Sequence, residues 1–281
     1  MKRYTTILLL AALLAGCAKD EGGNTPATGY GTLRLAVECS PAIAAETRAA
    51  GQAEIPADAI PAISDLALRV ESIDPEYVFS QSWKSVGDYD PQNDYLWSTD
   101  YAITLFTGET PGVETSPEGA DCPYFEGSAE VAVAIGREST RVDITARLVN
   151  TIVRIDFTDR FKGYFGNGAE FMLTTEAGTE LEIYYTADDP QVVGTYHYIR
   201  PGRFTISGEA TKQTPSATQP AQTVKFADTV NEAAAAGTLY SYTFDVSGIG
   251  DTGEVLITLN DTPIRTETTD EELNDDAIPN Q

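Results

Sequence analysis

Histidine is nearly missing from this chain: His197, in Tyr196-His197-Tyr198, is the only one in 281 residues. A Ser-His-Asp hydrolase needs that base beside an exposed nucleophile. The Gly-x-Ser-x-Gly turn that presents such a serine is absent too. A lone histidine inside a strand pattern is more often a packed side chain than a base. Cysteine and histidine never cluster at zinc-binding spacing, and no Walker pattern supports a nucleotide. Cationic residues are scarce as well, with Lys+Arg 18 against Asp+Glu 43 and a formal charge of −25. A field of that sign repels nucleic acid and anionic lipid surfaces. No apolar run reaches the ~20 residues that span a bilayer. The residues therefore imply no enzyme class, no cofactor, no bound metal and no nucleic-acid partner. Paired carboxylates carry no weight here, because 43 acids always supply some pair at the ~5–10 Å a glycosidase needs.

What is present begins with an address. Met1-Lys2-Arg3 precedes an apolar run from Thr6 to Leu14, which ends in Leu14-Ala15-Gly16-Cys17. A basic head, a short apolar segment and small residues before a cleavage point make a secretory signal. Leu-Ala-Gly-Cys resembles the bacterial lipobox, in which cleavage precedes the cysteine and acyl chains are added to it. One chain holds a protein marginally and two or three hold it firmly, at ~0.8 kcal/mol per buried methylene. The expectation is a signal peptide over 1–16 and a membrane partner held through acyl chains on Cys17. A polar, flexible tether follows over 17–29. Lys19-Asp20-Glu21 resembles the acidic tag of lipoproteins exported to the outer leaflet; a plain polar spacer is the other reading. The expected location is the outer membrane, facing the cell surface. Export also permits a disulfide between Cys39 and Cys122, if their Cα atoms come within ~7 Å. Two unpaired, partly buried cysteines are equally ordinary.

Beyond the tether, alternation at period two recurs. Leu33, Leu35 and Val37 read as one strand, and Leu66, Leu68 and Val70 as another. Tyr101 to Phe106 alternates again, and Ser128 to Ile135 and Arg141 to Leu148 read as a hairpin around Gly136-Arg137-Glu138. From Arg141 the apolar residues are even-numbered up to Leu148 and odd from Val149 through Val153, Ile155 and Phe157. Such a one-residue phase shift sends side chains to the opposite face. Either a bulge sits near Asn150, or the strand leaves one core and enters another; the second places a domain boundary there. Later, short β segments fall between Phe171 and Ser207, and Tyr240–Val246 and Val255–Leu259 pair as a hairpin. Residues 40–61 read as a loop, Thr158 to Gly168 as a connector holding a short helix, and Asn231 to Ala236 as a helical turn. The fold class is mostly β: two antiparallel β-sandwich domains over 30–149 and 150–261, then an acidic flexible tail over 262–281.

Two stretches are candidates for function. Residues 77–101 hold both tryptophans, Trp83 and Trp97, together with Tyr89 and Tyr95. Their flat faces suit sugars or another protein, although large aromatics more often cover a core. Asp88, Asp90, Asn93 and Asp94 offer oxygen ligands of the kind calcium takes. They lack EF-hand spacing and its glycine, so a solvated turn is the other reading. Arg48 stands alone between Arg34 and Arg69, in the run Glu46-Thr47-Arg48-Ala49, where an arginine-specific protease would find it.

The whole layout resembles lipoproteins of domain-of-unknown-function family 4493. The likeness is carried by the lipobox, Gly31-Thr32-Leu33-Arg34-Leu35, Thr47-Arg48-Ala49, Ser64-Asp65-Leu66, Leu148-Val149-Asn150-Thr151 and Asp156-Phe157-Thr158-Asp159-Arg160-Phe161-Lys162. It covers roughly residues 14 to 260. That family implies no activity and no catalytic residue. The chain is also similar to the fimbrillin-type proteins of Gram-negative anaerobes, which implies two transthyretin-like sandwiches. In those proteins an arginine-specific protease removes the first strand and a neighbour's strand fills the groove. The resemblance implies a cut at Arg48 that releases Tyr30 to Cys39, and other fimbrial subunits as partners. The C-terminal tail, acidic and poor in apolar alternation, makes a weak donor strand. A non-catalytic adhesin or accessory, anchoring subunit is the implied function. A glycan-binding lipoprotein of a polysaccharide-uptake system, using the aromatic segment, is the alternative.

Overall fold

A computed structural model describes residues 29–45, 51–136, 139–166, 168–186, 194–212, 222–247, 254–259 and 262–265. The signal, the tether and Cys17 lie outside the described residues, as do Arg48 and the tail after residue 265. The first ten strands are β1 (Tyr30–Gly31), β2 (Leu33–Ser40), β3 (Ala42–Ala45), β4 (Gly51–Glu54), β5 (Ala67–Ser72), β6 (Ser80–Trp83), β7 (Leu96–Trp97), β8 (Asp100–Phe106), β9 (Phe125–Ala132) and β10 (Thr140–Leu148). There follow β11 (Thr151–Phe157), helix α1 (Asp159–Tyr164), β12 (Ala169–Thr175), β13 (Glu180–Tyr185), β14 (Tyr196–Ile199) and β15 (Gly202–Thr211). Last come β16 (Thr223–Ala234), β17 (Thr238–Ser247), β18 (Glu254–Leu259) and β19 (Thr262–Arg265). The fold is mostly β and of the sandwich kind. Among the described residues no helix is long and apolar enough to cross a membrane.

The first sheet has six strands in the order β2-β10-β9-β8-β5-β6. Alternation sends Leu68, Val70, Tyr101, Ile103, Leu105, Val142 and Ile144 to one buried face. The second layer over that face is the segment between β6 and β8, which contributes Tyr89 and Leu96. Tyr89 is fixed there by its hydroxyl, which accepts the Leu33 N–H at 2.9 Å. The expected hairpin is present as β9 against β10, with Leu148 opposite Phe125. Ile135, expected on the alternating set, lies past the end of β9 and is exposed.

Two further sheets face each other. The seven-stranded sheet runs β14-β11-β17-β18-β19, with β3 and β4 beside it, and the four-stranded sheet runs β13-β12-β15-β16. Val153, Ile155, Phe157, Tyr242 and Phe244 from one meet Phe171, Leu173, Phe204 and Phe226 from the other. Helix α1 starts at Thr158, whose hydroxyl accepts the Phe161 N–H at 3.1 Å, and it adds the buried Phe161 and Tyr164.

The phase change near Asn150 marks a change of sheet. The chain leaves the six-stranded sheet at Leu148 and enters the seven-stranded one at Thr151. Strand β11 is then buried on both faces: Val153 looks into the sandwich, while Ile152 packs with Phe125, Ala146, Leu148 and Tyr198. Asn150 itself is fully buried, its side-chain oxygen accepting the Tyr124 N–H and its carbonyl the Gly237 N–H.

Three expectations are corrected. The 40–61 loop contains β3 and β4, which pair antiparallel. Asn231 to Ala236 is no helical turn, because β16 runs through Ala234 and pairs with β15 across two register shifts. The tail begins as β19, paired to β18 from Thr262 to Arg265. In each case a neighbouring strand supplies the partners, and local propensity loses to that pairing.

Candidate functional site

Strand β2 is an edge strand with one ladder partner in its sheet. It lies parallel to β10 over eight residue pairs, from Leu33↔Thr140 to Ser40↔Arg147. Leu33 is fully buried, and Leu35, Val37 and Cys39 are partly buried against the same cores, while Arg34 and Glu38 face water. The strand thus fills an apolar slot and satisfies one edge of β10. Directly afterwards the chain crosses to the other half, where β3 pairs parallel with β17 at Thr238 and Leu239. Residues 46–50, which carry Arg48, join β3 to β4, whose facing ends are Ala45 and Gly51. Arg48 therefore falls between the segment that supplies β1 to β3 and everything that follows.

The four aromatic candidates separate. Trp83 and Tyr89 are 9% and 8% exposed and meet edge-on with ring centroids 5.3 Å apart. They are core residues, and the expectation that they form a binding surface is corrected. Burial also raises the Tyr89 hydroxyl above the usual phenol range. Tyr95 and Trp97 remain at the surface, Tyr95 being 59% exposed. Trp97 pairs with Tyr30 across the small β1–β7 sheet, ring centroids 4.7 Å apart, and Tyr77 stands edge-on to it at 6.1 Å. Tyr30 reads in the sequence as the start of the first strand, and nothing there marks its ring as the partner of Trp97.

The acidic group at 88–94 is occupied by its own loop. Asp88 accepts the Ser85 N–H at 3.2 Å, Asp90 accepts the Gln92 N–H at 2.8 Å, and Asp94 accepts the Asp90 N–H at 2.7 Å. Such side-chain-to-backbone bonds are turn chemistry. No group of three metal-ligating side chains occurs among the described residues.

Cys39 and Cys122 are both free thiols, so the candidate disulfide is not made. Cys39 packs against the cluster between the two halves, and the Cys122 sulfur lies beside Gly119 in the loop before β9. Burial raises both thiols above the ordinary range, with Asp121 adding to the effect at Cys122.

His197 is 6% exposed on β14, and its Nε2 has no hydrogen-bond partner. Burial pushes its pKa down, which keeps the imidazole neutral. Gly248-Ile249-Gly250-Asp251-Thr252-Gly253 has the spacing of a dinucleotide-binding loop. It joins β17 to β18, which pair antiparallel as a hairpin, whereas that motif requires a strand followed by a helix. Loop 113–122 ties the halves together: Glu118 accepts the Arg200 N–H at 2.8 Å and the Thr175 hydroxyl at 3.0 Å. The outer face of the four-stranded sheet forms a trough of ≈ 490 Å³ that includes Glu170, Met172, Glu182, Tyr184, Glu209 and Lys225.

The chain matches the sequence model of the domain-of-unknown-function family DUF4493 over residues 29–275. It belongs to that family. A search of the curated proteins finds no significant match. Among solved structures, the chain is similar to a fimbrial assembly protein from Parabacteroides distasonis, at 9% identity and a TM-score of 0.41, covering 86% of this chain and 99% of that one. It is also similar to a candidate cell adhesion protein from Bacteroides ovatus, at 12% identity and a TM-score of 0.43, covering 87% and 99%. A third is a candidate polysaccharide binding protein from Bacteroides thetaiotaomicron, at 14% identity and a TM-score of 0.32, covering 83% and 98%. In this DUF4493 chain two features were beyond the reach of periodicity. One is the parallel seating of β2, which only β10, about a hundred residues later, reveals. The other is the surface pairing of Tyr30 with Trp97.

Proposed function

We propose that the protein is a non-catalytic lipoprotein of the outer membrane, held by acyl chains on Cys17 and displayed at the cell surface. It acts as an accessory or anchoring subunit of an adhesive, fimbria-like assembly. The observation that carries this reading is the edge position of β2, which fills an apolar slot beside β10 and is joined to the body through the segment with Arg48. An edge strand seated in this way can be replaced by another chain's strand, whose backbone and alternate side chains satisfy the same groups. On this reading the body accepts a strand, while the described chain after β18 turns back and pairs with it as β19. The same reading divides the body into two domains at Val149–Asn150, joined by the cluster around Ile152 and by Glu118.

The test has two arms. Mass spectrometry of protein taken from the envelope is expected to show Cys17 acylated; an unmodified Cys17 removes the anchor. Purified body cut after Arg48 is expected to take up a labelled peptide of residues 30–45 after mild denaturant displaces the native strand. A cut body that neither takes up the peptide nor associates with itself removes the strand-acceptor reading.

A further inference from the structure

One end of the first sheet is left uncovered and apolar. Strands β2, β8 and β10 begin there and β5 and β9 end there, so the connections at this end are 29–32, 73–79, 95–99 and 133–139. They carry Tyr30 at 53% exposure, Tyr95 at 59%, Ile135 at 46%, Ile73 at 45% and Val78 at 91%. Those are five of the eight large hydrophobic side chains exposed among the described residues. Trp97 pairs with Tyr30 at 4.7 Å, the Gly136 N–H reaches the Tyr30 carbonyl at 3.2 Å, and Ile135 lies against Gly29. Tyr30, Trp97 and Ile135 are thus neighbours, Tyr95, Ile73 and Val78 stand in connections at the same end of the sheet, and an exposed apolar surface on a folded body marks a contact surface.

We propose that this end of the sheet rests on the membrane, with Tyr30, Tyr95, Trp97 and Ile135 seated at the headgroup level of the bilayer. The inference rests on the acylated Cys17 proposed above. Its argument is the length of chain outside the structure and where that chain ends. Gly29 is twelve residues past Cys17, so even a fully extended link reaches at most ~43 Å. The first described strand it meets is β1, and β1 is itself half of the patch. At the opposite end of the same sheet β2 and β10 finish and the chain continues into the second half. The end that meets the tether is thus the end at which, among the described residues, five large apolar side chains stay exposed.

Chemistry selects the occupant. Tyrosine and tryptophan favour the interface, where an apolar ring body is buried and a polar atom stays wet. A short link also raises the effective concentration of the patch at its own membrane to the millimolar range, so a weak contact is populated. Asp74, Asp94 and Asp100 border the patch, and they disfavour anionic headgroups. The favoured surface is a zwitterionic lipid interface.

The two tryptophans make the test direct, because Trp83 is core and Trp97 is patch. Full-length acylated protein is reconstituted into phosphatidylcholine vesicles with and without brominated acyl chains. Trp97 emission is expected to be quenched by the bromine, and Trp97→Phe is expected to leave only the unquenched Trp83 signal. Tyr95→Ser and Ile135→Ser, both exposed and remote from the core, are expected to lower the quenching by about twofold or more while leaving the melting temperature unchanged. Replacing about a third of the lipid with phosphatidylglycerol is expected to weaken it further. Protein that is acylated and floats with the vesicles, but shows no bromine quenching, overturns this inference and leaves the anchor standing. Protein without acyl chains on Cys17 overturns both. A Trp97 blue shift caused by soluble oligosaccharide, without lipid quenching, makes the patch a glycan surface and overturns the inference.

Discussion

Replacing Leu33 with alanine tests whether β2 is a separable element. Leu33 is fully buried in the cluster of Leu68, Val70, Tyr101, Ile103, Val142 and Ile144. A buried Leu→Ala change costs about 2–5 kcal/mol, from lost transfer free energy and the cavity left behind. Taking ~3 kcal/mol, and ~1.4 kcal/mol per tenfold, an opening confined to β2 becomes roughly 100-fold more populated. Confinement is expected because β2 has a ladder on one side only, and edge elements open below the global unfolding cost. The assay is native-state amide exchange in β10, whose ladder with β2 runs from Thr140 to Arg147. Amides of β10 that bond to β2 are expected to exchange roughly 100-fold faster in the variant, by the same conversion. Those of β12 and β15, in the far sheet, are expected to keep their wild-type rates. Equal acceleration in all three strands refutes the reasoning, because β2 would then open only when the whole protein does. No acceleration in β10 refutes it as well, since Leu33 would not be holding the strand.

Burial separates the two tryptophans: Trp83→Ala is expected to cost about 3–5 kcal/mol in a denaturant melt, and Trp97→Ala under about 1 kcal/mol, as for surface sites. His197 gives a pH effect whose sign is fixed, because burial depresses its folded pKa below the unfolded value of about 6.5. The unfolded chain therefore binds the extra proton first, so stability present above about pH 6.5 falls as pH drops through that window. In thermal melts between pH 7.5 and 5, His197→Gln is expected to flatten this slope. Removing Glu118 leaves the Arg200 N–H and the Thr175 hydroxyl without their carboxylate acceptor, and Glu118→Ala is expected to cost about 1–3 kcal/mol by the same melts.

Much of the fold was legible because alternation and burial coincide: Leu68 and Val70, Ile103 and Leu105, and Val142 and Ile144 all point where period two sends them. The phase change at Val149 was legible too, and its cause is concrete. Strand β11 must present Ile152 to one cluster and Val153 to another, which no single alternating face can do. What periodicity could not reach is pairing between distant segments. The β3–β4 ribbon is Ala-rich and polar in sequence, and its strand character comes from the pairing of β3 with β4 and, at two positions, with the distant β17. Trp83 and Tyr89 left two readings open in the sequence, a binding surface or the cover of a core, with Asp88, Asp90 and Asp94 near them. In the fold those carboxylates bond their own turn and leave the rings free to face inward. At the candidate site the sequence showed Cys17, Arg48 and the strand between them, but not the parallel seat of that strand beside β10.

The covalent order Cys17, β2, Arg48 constrains what a cut can accomplish. The backbone bond after Arg48 lies between Cys17, the proposed site of acylation, and the body from β4 onward. Cleavage alone leaves the body held by β1 against β7, by β2 in its slot and by β3 against β4 and β17, contacts that are not covalent. Expelling the whole segment β1 to β3 then opens the edge of β10 and, with Cys17 acylated as proposed, detaches the body from the membrane. A subunit cannot be both anchored and open through this one segment. An uncut chain is therefore the anchored form, closed to strand exchange at β10, and a cut chain that has lost β2 is free and competent to accept a strand. An anchoring role requires that Arg48 stay intact in the envelope, so the fraction cut there, read from the masses of the envelope-bound and released forms, decides which role the protein fills.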